Sequence, residues 1–90
     1  MATTIGNIRL ARGGQGIAFL AGYRAGVYEV VISREALDDL IRGNTEGDEK
    51  RMRAALDEHA GRIAEVTEAA ILRGEGMRPN PIILLQTKDF

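Results

Sequence analysis

There is no cysteine among the 90 residues of this chain. That removes disulfides, thiolate nucleophiles and cysteine-held zinc together, and it points to a reducing, cytoplasmic setting. Tryptophan is missing too, and only Phe19, Tyr23, Tyr28 and Phe90 supply aromatic rings. Platforms that stack single-stranded nucleic acid interleave exposed rings with basic residues, and these scattered rings do not make one. Nor is there a basic excess: 12 Lys and Arg stand against 13 Asp and Glu, a net charge of −1. Binding to a phosphate backbone needs positive charge gathered on one face, so nucleic acid is not an expected partner. No apolar run approaches the ~20 residues that span a bilayer, and the opening MATTIGNIRLARGG has no signal-peptide core. The expectation is one domain over 1–90, with no membrane role.

Glycine is plentiful, with 11 residues in the chain, and most stand where turns and caps are wanted. A weak apolar rhythm over 5–10 suggests a first edge strand, broken at Arg12-Gly13-Gly14. Ile17, Phe19 and Ala21 then alternate with Ala18 and Leu20, which predicts a strand. After a loop from Gly22 to Gly26, Val27-Tyr28-Glu29-Val30-Val31-Ile32 is β-branched and aromatic, a second strand. Two such runs around a tight loop predict a hairpin.

Ser33 is a good helix N-cap, since its hydroxyl accepts from an otherwise unpaired first-turn amide. Glu35 places negative charge at the positive helix end. A short helix is expected over 34–42, with Gly43 as the residue that turns the chain out. A long helix follows over 48–73. Met52, Leu56, His59, Ile63, Val66 and Ala70 share one face of it, opposite Asp57, Gly61, Glu65 and Glu68. Glu49–Arg53 and Glu58–Arg62 are pairs at i,i+4 spacing. The prolines and glycines of 74–81 make a loop, and Ile82-Ile83-Leu84-Leu85-Gln86-Thr87 closes the chain as a strand.

The motifs that suggest chemistry are better explained by structure. A dinucleotide-binding turn needs Gly-x-Gly-x-x-Gly between a strand and a helix. Beyond Gly14-Gln15-Gly16, Phe19 holds the third glycine position and a strand follows. His59 is the one histidine and sits near the edge of the apolar stripe, the place of a packed, hydrogen-bonded side chain. Ser33 as a nucleophile has no base near it in sequence. No catalytic, cofactor-binding or metal-ligating residue is assigned, and no cofactor is expected.

The strands carry a stronger signal. Ile82 and Leu84 fall on one side of the last strand and Ile83 and Leu85 on the other. Tyr28, Val30 and Ile32 likewise oppose Val27 and Val31. A sheet with one helical layer should alternate apolar with polar, because its second face meets water. Either the short helix covers that second face, or another chain does, as in a homodimer or a docked partner. Gly61 on the polar side of the long helix, where Ala would be about 1 kcal/mol better, is a weaker sign of a surface in use.

The segment 17–40, IAFLAGYRAGVYEVVISREALDDL, resembles a family of small bacterial proteins catalogued as domain of unknown function 1488. The resemblance lies in a strand, a glycine-containing turn, a second strand, and Ile32-Ser33-Arg34-Glu35-Ala36-Leu37 opening a helix. It continues through the long helix to a closing apolar strand before Asp89-Phe90. Members often carry a cysteine before the Ser-Arg-Glu, which this chain lacks. The resemblance implies an α+β fold with an antiparallel sheet, and it implies no activity.

The expected architecture is a two-layer α+β domain in the order β-β-β-α-α-β. An antiparallel sheet of three or four strands packs on the long helix. The expected function is a small interaction or regulatory module acting through protein contacts. The alternative is a ligand-binding or catalytic domain with its site at an interface, lined by Arg24, Arg62 or His59.

Overall fold

Val30 and Ile32, β-branched and fully buried, belong to a strand with a neighbour on each side. The structure, a computed structural model, describes residues 3–11, 15–24, 26–46, 48–74 and 82–90. Three strands, β1 (Thr4–Leu10), β2 (Gly16–Tyr23) and β3 (Gly26–Ser33), precede three helices. These are α1 (Arg34–Ile41), α2 (Glu49–Glu58) and α3 (Ala60–Leu72), and β4 (Ile82–Leu85) follows. The four strands form one sheet in the order β1-β2-β3-β4. Arg12, Gly13 and Gly14, and all of the loop expected over 74–81 but Gly74, lie outside the described residues.

The hairpin is tighter than the sequence suggests. Gly22 and Tyr23 remain in β2 and Gly26 in β3, so only Arg24 and Ala25 separate the strands. Arg24 has a φ of 55°, the positive value that the primed turns of two-residue hairpins require at their first position. Its guanidinium lies 5.2 Å from the centroid of the Tyr23 ring, within cation–π range.

One expectation about the sheet is overturned: it is mixed, not antiparallel. β1–β2 and β2–β3 are antiparallel, but β4 runs parallel to β3. β3 passes directly into α1, and the helical layer carries the chain back across the sheet before β4 begins. A strand reached by such a crossover lies parallel to the one it left. β4 is also shorter than expected. Gln86 leaves it, and its amide donates to Asp89 Oδ2 (2.8 Å) to start a 3-10 turn over Thr87–Asp89.

Ser33 caps α1 as anticipated, its hydroxyl accepting from the Ala36 amide at 3.2 Å. The exit from α1 differs. Arg42, not Gly43, takes the left-handed conformation (φ 53°). The Gly43 amide donates to the Asp38 carbonyl (3.0 Å) and the Arg42 amide to that of Asp39 (3.2 Å), the two bonds of a Schellman motif. The long helix is two helices. It breaks at His59, whose backbone (φ −109°, ψ 22°) is not helical. The 3.6-residue apolar period runs through the break because both halves bury the same side. Met52, Leu56, Ile63, Val66 and Ala70 are all buried, while His59 is half-buried.

All three helices pack on one face of the sheet. Ala36 and Leu37 of α1, Met52 and Leu56 of α2, and Ile63 and Ala70 of α3 belong to a single core with Ile17, Phe19, Val30, Ile32, Ile83 and Leu85. The register aligns these strand residues in rows. Ile17, Ile32 and Leu85 form one, and Phe19, Val30 and Ile83 the next. Side chains alternate across a strand, so the residues between them point to the opposite face, where none of the described helices lies.

Candidate functional site

The uncovered face is built by the same register. One cross-strand row is Arg9, Ala18, Val31 and Leu84, and the next is Gly6, Leu20, Glu29 and Ile82. A third holds Thr4, Gly22 and Val27. A solvated sheet face would carry polar residues at these positions. Instead Val27 is 71% exposed, and Ile82 and Leu84 are each 48% exposed. Of the two explanations that the sequence left open for its two-sided strands, cover by α1 is excluded, since α1 packs in the core on the other side.

Two charges stand on this face and neutralise each other. Arg9 on β1 and Glu29 on β3 flank β2, and the Arg9 Nη2 donates to Glu29 Oε1. The pair bridges β2 from the row of Ala18 to the row of Leu20. Both side chains keep about two-fifths of their surface open (42% and 41%). Neither residue stands out in the sequence. The signal was present as one basic and one acidic residue at outward positions of strands two apart, but it becomes visible only in register.

The bulge in β1 sets where Arg9 stands. Gly6 pairs with Leu20 and Arg9 with Ala18, so β1 holds one more residue than β2 over this interval. Asn7 within it has a φ of 51°. Without that extra residue the alternation would turn Arg9 into the core.

A second concavity lies between β1 and α3, a groove of about 510 Å³ lined by Thr3, Ile5, Ala60, Gly61 and Ala64, with Glu65 and Glu68 on its helical side. Gly61 is thus in the first turn of α3 and not in the middle of a helix. A Cβ there would meet nothing within 4 Å. The Thr3 hydroxyl is buried with no hydrogen-bond partner among the described residues.

Of the residues proposed for an interfacial ligand pocket, His59 and Arg62 stand together at the start of α3, and Arg24 belongs to a different element. Arg24 is in the β2–β3 turn against Tyr23, His59 is the junction of α2 and α3, and Arg62 lies in α3 at 3.9 Å from Glu65. Arg62 turns to Glu65 and not to Glu58. The other pairing expected along the helix, Arg53 with Glu49, is present at 3.9 Å. The His59 ring makes no hydrogen bond to a described residue. Gly16, the last residue of the glycine-rich stretch, is buried within β2. A strand, not a helix N-terminus, follows that stretch.

Comparisons of the chain with protein-family models, with curated proteins and with solved structures find no match. The functional reading therefore rests on the surface itself. Among the described residues no group of three or more His, Asp or Glu could hold a metal ion. No helix among them is long and apolar enough to cross a membrane.

Proposed function

We propose that this domain is a protein-interaction module, acting in the cytoplasm, whose working surface is the uncovered face of the sheet. One observation carries the reading: Val27, Ile82 and Leu84 are exposed, with Leu20 and Val31 half-buried among them around the Arg9–Glu29 pair, on the face that none of the described helices covers. An apolar surface of this kind around one ion pair is characteristic of a contact site, because leaving it in water forgoes about 25 cal/mol for each Å² that a partner would cover. A regulatory role follows the same logic, since a small domain with one adhesive face acts by what it covers. The resemblance to domain of unknown function 1488 adds no activity to this reading, and membership of that family is proposed on the segment 17–40 and its continuation through the helices to the closing strand.

Photo-crosslinking in living cells tests the surface. A benzophenone side chain at position 27 or 84 is expected to give protein adducts in high yield, and one at Arg53 on the exposed side of α2 is not. No adduct at either sheet position would sink the reading. The β1–α3 groove supports a second reading, small-molecule binding, through the unpartnered Thr3 hydroxyl beside Gly61. Ligand-induced NMR shifts confined to Gly61 and Ala64 would favour it over the first.

A further inference from the structure

We infer that the groove between β1 and α3 takes a primary alkylammonium ion, its charge against Glu68 and its apolar body along Ala64 and Gly61. This rests on the reading of that groove as a small-molecule site, and it adds the class of ligand.

Small side chains make the room. Gly61, Ala64 and Glu68 fall at i, i+3 and i+7 of α3, with Ala60 beside them, so they share the side of the helix that borders β1. Two turns separate Gly61 from Glu68, a length of about 10 Å. Along it Ala60 and Ala64 face Ile5 of β1, which gives an alkyl chain apolar contact on both sides. A Cβ on Gly61 would meet nothing within 4 Å, so the far end is open. The volume of about 510 Å³ is that of a small-ligand site.

Charge sets the sign of the ligand. The lining side chains include two carboxylates and no Lys, Arg or His. Glu65 is 75% exposed and already has Arg62 at 3.9 Å. Glu68 differs on both counts: it is half-buried and has no ion pair among the described residues. A half-buried carboxylate without a counter-ion repels an anion and gains from a cation that donates to it, the stronger class of hydrogen bond. One unmatched carboxylate calls for one ammonium, so a monoamine fits better than a diamine.

Thr3 points to a ligand independently of the acidic side chains. It is 8% exposed and lines the groove, and its hydroxyl is shielded from water with no hydrogen-bond partner. Thr4 stands on the open sheet face opposite Gly22, and the residue before it turns to the helical side with Ile5, as alternation requires. Buried hydroxyls nearly always hold a bond, and one that holds none has nothing to fix its rotamer. A turn about χ1 to another staggered well presents the oxygen to the groove, where it accepts a second N–H of the ammonium. An alcohol would answer Thr3 but leave Glu68 unmatched. An ammonium has three donors and no acceptor, and it answers both.

Pentylammonium is the probe, followed by amide NMR shifts of the full isotope-labelled chain at neutral pH and about 0.1 M salt, which screens exposed carboxylates. Pentanoate and 1-pentanol are its anionic and neutral counterparts. Saturable shifts are expected at Gly61, Ala64 and Glu68, with a dissociation constant on the order of 1–10 mM for so small a ligand. Glu68→Gln is expected to weaken binding about fivefold or more. Asp39→Asn, which removes the same charge on α1, leaves it unchanged. Thr3→Val keeps the shape and removes the unpartnered hydroxyl, so binding weakens about twofold while the melting temperature does not fall. Ala64→Leu fills the groove and abolishes saturation. Circular dichroism establishes that each variant is folded, and if Ala64→Leu is not, Gly61→Ala narrows the same groove in its place.

The absence of a saturable shift with pentylammonium overturns the amine. So do shifts that Glu68→Gln leaves unchanged, or that spread equally to the carboxylates of α1. Shifts at Gly61 and Ala64 with pentanoate or pentanol, and not with pentylammonium, overturn the amine and leave the groove standing as a small-molecule site. Silence from all three probes, together with a fragment collection that leaves Gly61 and Ala64 unshifted, removes both.

Discussion

Asp38 and Thr45 tie the end of α1 to the start of α2 through one carboxylate oxygen: Asp38 Oδ1 accepts from the Thr45 amide at 2.9 Å and from its hydroxyl at 2.8 Å. Thr45 is fully buried, and its carbonyl accepts from Asp48 (3.0 Å) just before α2. Losing the carboxylate leaves two buried donors without an acceptor, which costs more than losing one bond. Asp38→Ala is expected to lower stability by about 2 kcal/mol, Thr45→Val by about 1, and Asp38→Asn by less than either, since the amide oxygen still accepts. Urea denaturation of the three variants gives the order. Equal losses for Asp38→Ala and Asp38→Asn would contradict it.

Gly16 is required by a close approach. A Cβ on it would stand 2.1 Å from the Ile32 carbonyl oxygen, inside the hairpin ladder. Backbone cannot rotate away as a side chain can, so Gly16→Ala must distort the pairing of β2 with β3 or prevent folding. The melting temperature is expected to fall by more than about 10 °C, which for a domain of this size is a loss of roughly 2 kcal/mol. Gly6→Ala is the control. It faces open space, and its melting temperature is expected to stay within about 3 °C of the parent.

Glycine and arginine stand at each other's preferred places in the helical layer. Gly61 is helical with nothing near it, so Gly61→Ala is expected to raise stability by about 0.5–1 kcal/mol. Arg42 holds the left-handed position of the α1 Schellman motif, where a Cβ is disfavoured, so Arg42→Gly is expected to gain about 0.5–1 kcal/mol. Chemical denaturation with an unchanged m-value checks both. A loss from Gly61→Ala would mean that this glycine is needed for something other than α3.

How far the fold could be read depended on whether the information was local. Ser33 announces α1 because a hydroxyl and an amide three residues on satisfy each other without help from the rest of the chain. The β2–β3 hairpin is legible for a similar reason, since its pairing spans few residues. The break at His59 was invisible because α2 and α3 bury the same side, so the period of Met52, Leu56, Ile63 and Val66 continues through it. The exit from α1 lies one residue before the place that Gly43 marks in the sequence, because Arg42 accepts the left-handed conformation that glycine favours.

The candidate surface was half legible. Ile82, Leu84, Val27 and Val31 show in their spacing that the second face of the sheet is not polar. Spacing along a strand cannot say on which side the helices lie, and Arg9 and Glu29 are 20 residues apart in sequence. They become a pair only when β2 separates β1 from β3 by a fixed distance.

By itself the sequence determined the elements of this protein, apart from the division of α2 from α3 at His59, and the two-sided apolar character of its strands, because period, capping and β-branching act within a few residues. The tertiary structure alone decided that β4 runs parallel to β3 and that α1, α2 and α3 share one face. Both depend on the path of the chain through the helical layer, on which Ile82-Ile83-Leu84-Leu85 carries no information. That path is what leaves Val27, Ile82 and Leu84 beside Arg9 and Glu29 on an open sheet.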